Sequence, residues 1–175
     1  MSRGRSSAYW ATNRYADELE EPAPTAPLRD LPASEGTRFR TLRSGLLALR
    51  GVTETVRYMG TPWRWAWEYA LGNRKLCWVH LMGEGTSVTF TLSDAEETRV
   101  RGLGRMPAAL LRAIAEGQRT GPVKWCWVGL SDRRAIEAFL RFARRKAEWL
   151  GERPAAHRSP RLRGAARGSE GDEAD

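Results

Sequence analysis

The stretch TPWRWAWEYALGNRKLCWVHL, residues 61–81, carries four of the chain's eight tryptophans together with Glu68, Cys77 and His80. These residue types suggest three chemistries. Indoles lining a pocket hold flat or cationic groups, and a carboxylate nearby favours positive charge. A thiol beside an imidazole is a nucleophile and its base. The bland alternative is packing. Trp63, Trp65, Trp67 and Tyr69 alternate along one strand face, and each aromatic buries roughly 150–250 Å², so the stripe also reads as core.

The catalytic possibility is the weakest. Of the two histidines, His80 lies in an apolar strand and His157 in a charged tail. Cys77 and Cys126 have apolar neighbours, whereas a thiolate needs an electropositive, accessible setting. No CxxC, HxxxH or carboxylate cluster is present, so neither metal nor cofactor is expected. The GLGR stretch at 102–105 lacks a phosphate-loop pattern and reads as a turn. The chain therefore reads as non-enzymatic, and a cysteine enzyme pairing Cys77 or Cys126 with His80 is the third alternative.

Binding is better supported. If helices cover the tryptophan face, the other sheet face presents Arg64, Ala66, Glu68, Ala70, Thr89, Thr91, Lys124 and Cys126. Small residues among a few charges make a shallow groove. With Trp78, His80 and Trp127 added, the ligand-binding set is Arg64, Glu68, Trp78, His80, Thr89, Thr91, Lys124 and Trp127. A small molecule, a protein partner or a second copy in a homodimer could occupy it.

Charge points to another surface. The formal net charge is +8, and residues 1–40 and 151–175 are each neutral, so the excess belongs to 41–150. On the last helix Arg134, Arg141 and Arg145 share one stripe, and Arg133 and Arg144 widen the arc. Arginine chelates phosphate through two parallel hydrogen bonds, so nucleic-acid binding through this helix is the second reading. No helix-turn-helix glycine pattern or aromatic RNA-binding strand motif accompanies it.

The elements that must position these groups follow from periodicity. Leu42, Leu46, Leu49, Val52, Val56 and Met59 recur at helical spacing, interrupted by Gly51. Strands are expected over 63–70, 76–82, 87–92 and 123–130, and helices over 106–117 and 133–149, the last capped by Ser131 or Asp132. The expected fold is α+β, a four-stranded mainly antiparallel sheet with helices on one face, in the order α-β-β-β-α-β-α. Residues 1–40 read as a largely disordered linker in which Trp10 and Tyr15 dock on the 41–150 domain. Residues 151–175 read as a disordered charged tail. No apolar run approaches the roughly 18 residues of a membrane helix, and no secretory signal opens the chain. The expected setting is the cytoplasm, with both cysteines as buried free thiols.

This arrangement, and above all GPVKWCWVGLSDRRAIEAFLRFARRK, resembles a prokaryotic family designated domain of unknown function 3788. The resemblance covers about residues 41–149. It implies a small α+β domain and supplies no catalytic residues.

Overall fold

The computed structural model describes residues 5–152. The expectation for the tail over 153–175 lies outside the described residues.

The sheet has six strands, not the four expected from periodicity. They are β1 (Val52–Tyr58), β2 (Trp65–Leu71), β3 (Arg74–Met82), β4 (Gly85–Ser93), β5 (Gln118–Thr120) and β6 (Val123–Gly129). Their order is β1-β2-β3-β4-β6-β5, and every neighbouring pair is antiparallel. Both additions are edge strands. β1 replaces the second half of the expected helix, because Val52 and Val56 are four apart and satisfy both a helical turn and two strand repeats. The alternation of Val52, Glu54, Val56 and Tyr58 with Thr53, Thr55 and Arg57 fits β-branched strand residues better. Gly51, at φ 78, turns the chain into that strand.

Among the described residues, six helices accompany the sheet: α1 (Ser7–Trp10), α2 (Ala26–Asp30), α3 (Ala33–Leu47), α4 (Asp94–Gly102), α5 (Ala108–Ala115) and α6 (Arg133–Gly151). α4 was not expected. Its start is a capping box in which the Ser93 hydroxyl accepts from the Glu96 N–H and the Glu96 carboxylate accepts from the Ser93 N–H. Asp132 caps α6 by accepting from the Ala135 N–H at 2.8 Å.

α3 and α6 cover one sheet face, hereafter the helix face. Phe39, Leu42 and Leu46 from α3 and Ile136, Phe139 and Phe142 from α6 pack on Trp67, Tyr69, Val79, Val88 and Phe90. Gly45 lets the two helices approach, since a Cβ there would stand 2.5 Å from a Leu140 methyl. Lys146, 1% exposed, is a buried charge on this face, and its ammonium donates to Glu96 at 2.7 Å.

The N-terminal reach packs against the domain rather than forming a disordered linker. The Asp17 carbonyl accepts from the Trp65 indole N–H at 2.6 Å, and the Pro24 carbonyl from that of Trp67 at 2.9 Å. Buried indoles need an acceptor, and a proline-rich segment, poor in donors, still offers carbonyls. Trp10 is 6% exposed, and the Arg14 N–H donates to the Leu81 carbonyl at 2.8 Å. Residues 5–15 thus form a strap that crosses the face opposite the helices at Trp10 and turns round the end of the sheet, so that Tyr15 meets Trp67 on the helix face at 5.2 Å.

Candidate functional site: an aromatic cleft on the strap face

Strand parity decides what the second face offers. In β3, Cys77 and Val79 turn to the helix face and Trp78 and His80 to the strap face. In β4, Thr89 and Thr91 share the strap face, and the register pairs them with Trp127 and Trp125 of β6. The same register pairs Cys126 with Phe90 and Cys77 with Tyr69, which are core residues. β6 is therefore turned over relative to the sequence reading. Its tryptophans face the strap, while Lys124 and Cys126 face the helices.

Where the strap stops short of covering the sheet, a cleft of about 730 Å³ remains. Five tryptophans line it: Trp10 from the strap, Trp63 from the loop before β2, Trp78 from β3, and Trp125 and Trp127 from β6. Trp78 and Trp125 stack at 5.2 Å with 29° between planes, and Trp63 and Trp125 are exposed at the mouth. Thr89, His80 and Glu116 also contribute to the lining.

Trp78 is held by a charge network centred on one buried carboxylate. Glu68, 5% exposed, accepts from the Trp78 indole N–H at 2.9 Å and from Lys75 at 2.6 Å, and Arg57 lies 3.4 Å away. Burial works to raise the Glu68 pKa, but Lys75, Trp78 and Arg57 together outweigh it and hold the carboxyl below its usual range. An ionised Glu68 therefore orients the Trp78 ring from the neighbouring strand.

His80 faces Thr89, with Nε2 and the hydroxyl 3.0 Å apart, and Trp10 meets its ring edge-on at 4.9 Å. Its Nδ1 is buried without a hydrogen-bond partner among the described residues. Burial depresses its pKa to about 3, so the imidazole is neutral near pH 7. The thiols lie on the opposite sheet face from this ring. Burial also pushes the Cys126 thiol up to about 12 and raises that of Cys77, the reverse of nucleophile activation.

A cation already sits at the cleft. The Arg5 guanidinium lies 3.5 Å from the centroid of the Trp127 ring and 5.2 Å from that of Tyr9. Tyr9 is fixed by donating its hydroxyl to Ser87 at 3.1 Å and by meeting Trp127 edge-on.

Of the expected ligand set, Trp78, His80, Thr89 and Trp127 meet in the cleft, and Glu68, beside Trp78 on the same sheet face, holds that ring. Three residues do not join. Arg64 sits outside the lining in a tight loop at φ 65. Thr91 is half-buried beside Trp125. Lys124 donates to Glu97 on the helix face, as does Arg119. The inward stripe expected from β2 also divides. Trp67 and Tyr69 enter the core, Trp65 is buried beneath the N-terminal segment, and Trp63 stands at the cleft mouth. Arg5, Trp10 and Trp125 are the contributors missed. The spacing of Trp125 and Trp127 shows that they share a face, but not which face.

The arginines expected on α6 also separate. Arg134, Arg141 and Arg145 line a second groove of about 800 Å³, joined by Arg105 from the loop between α4 and α5. Arg133 is drawn to Glu137 at 2.7 Å, and Arg144 is exposed away from the groove.

Compared with protein-family models, with curated proteins and with solved structures, the chain matches none. Among the described residues, no helix is long and apolar enough to cross a membrane.

Proposed function

We propose that this chain is a binding module whose strap-face cleft accepts a ligand bearing a guanidinium or substituted ammonium group. The observation that carries this reading is Arg5, a cation of the chain itself, stacked on Trp127 within a five-tryptophan cleft. Indole faces attract cations most strongly where water is displaced. The ring beside Arg5 is held in place by Tyr9, and the stacked Trp78 by Glu68, so the aromatic walls are pre-organised for binding.

Trp63 and Trp125 at the mouth make their own fluorescence the readout. The test is a titration of the full chain with arginine amide and choline, against 3,3-dimethylbutanol as choline's neutral isostere. Saturable quenching by the cations, with the isostere at least about tenfold weaker, supports the reading. Equal binding of the isostere, or quenching by neither cation, defeats it.

Membership in the domain of unknown function 3788 family and a cytoplasmic setting belong to the same proposal. The first rests on the residues quoted above, the second on two buried free thiols.

A further inference from the structure

The second groove invites an occupant of opposite charge. Its apolar lining includes Met106, Pro107, Ala138 and Phe142, and its charged lining is Arg105, Arg134, Arg141 and Arg145 against one carboxylate, that of Asp132, which caps α6. All four arginines are exposed, and Arg105, Arg134 and Arg141 make no ion pair among the described residues. Arg145 alone is shared, with Glu148 at 3.1 Å. The folded surface thus keeps three positive charges without carboxylate partners, spaced along an apolar trough.

Geometry narrows the partner. Along α6 the rise from Arg134 to Arg141 is about 10 Å, and from Arg141 to Arg145 about 6 Å. Those intervals match side chains two turns and one turn apart on a facing helix of about three turns. A nucleic-acid backbone could engage the charges but would leave Phe142, Met106 and Pro107 facing phosphate and sugar. A helix with acidic residues flanking an apolar stripe satisfies both the charged and the apolar lining. We infer that the groove between α6 and the α4–α5 loop docks an acidic amphipathic helix of a partner protein. This site is separate from the aromatic cleft and does not depend on the reading given for it.

The test uses the full chain and a fluorescein-labelled, end-blocked helical peptide of about sixteen residues. Its three glutamates match the arginine intervals, and leucines occupy the same face. Anisotropy should show saturable binding. Replacing the glutamates by glutamine, or the leucines by serine, should each weaken it at least about tenfold. The double variant R134E/R141E should lose binding to the same degree, while R133E/R144E, off the stripe, should stay within about twofold. A thermal melt reports whether each variant folds, and the peptide series on the unaltered chain stands without them. Three results would overturn the proposal: no binding, equal binding of the glutamine peptide, or tighter binding of a single-stranded oligonucleotide of equal charge. The last would assign the groove to nucleic acid.

Discussion

The two faces of the sheet are built from the same strands but solve opposite problems. The helix face is closed by two long helices carrying Phe39, Leu42, Phe139 and Phe142, and its buried Lys146 is paired with Glu96. The strap face is closed by an eleven-residue segment too narrow to span it, so indoles and an imidazole do the remaining covering. Aromatics with a polar handle suit this second task, since they tolerate partial exposure where a phenylalanine would not. Coverage by packed helices gives a core; coverage by a strap leaves a site.

Breaking the helix face should cost most. Lys146→Ala would take the ammonium from the half-buried Glu96 carboxylate and leave a cavity, and should destabilise the fold by about 3 kcal/mol in urea unfolding. Lys146→Met, which fills the space, should cost less, and Lys146→Met with Glu96→Gln less again. If Lys146→Ala is neutral, the ion pair is not structurally important and the contrast between the faces weakens.

Breaking the strap face should cost less and change local rather than global behaviour. Trp10→Ala should lower stability by about 2 kcal/mol, since only the strap's packing is lost. Proteolysis between residues 5 and 15 should accelerate more than global unfolding does, because the strap can open by itself. Equal acceleration of both would show that strap and sheet unfold as one unit.

The buried imidazole sharpens the comparison through pH. His80 is neutral when folded, with a pKa of about 3, against an ordinary value near 6.5 when unfolded. The unfolded chain therefore takes up a proton that the folded chain refuses. Stability contributed by the neutral ring is complete above about pH 6.5 and declines as pH falls towards 3, by at most about 1.4 kcal/mol per pH unit. Replacing His80 by Gln should flatten part of that slope. Carboxylates such as Glu68 and Glu96, held low by their partners, should leave the acid limb below about pH 4.5 intact. An unchanged profile from pH 6.5 to 5 would place the imidazole in contact with water.

The smallest effect lies in the loop bearing Trp63. Arg64 takes φ 65, a region where a side chain is strained. Arg64→Gly should raise stability by at most about 1 kcal/mol, measured by thermal melt, and leave the cleft lining unchanged. A loss instead would mean that the arginine side chain makes up for its backbone strain.

Much of this contrast was legible in the sequence, and the failures have physical causes. The hairpins from β2 to β4, the core side of Val88, Phe90 and Leu92, and the Asp132 cap follow from strict alternation and capping chemistry. β1 was misread because its valine spacing suits both periods. α4 lacks an apolar stripe, with mostly charged residues, but the Ser93–Glu96 capping box was there to be read. The site was half legible. Trp78, His80, Thr89 and Trp127 were named, but nothing local to β6 says which face its tryptophans take, and only its register with β4 fixes that. Arg5 lies more than 120 residues from the ring it covers, a contact that no periodicity encodes.

That contact makes the chain its own competitor. A guanidinium tethered to the domain by a short segment has an effective concentration of roughly millimolar order at its ring, so a free cation must outcompete it rather than fill an empty place. The cleft would then respond over a threshold range set by the tether, not by the indoles alone. Neutralising Arg5 would shift that threshold without altering one side chain of the sheet.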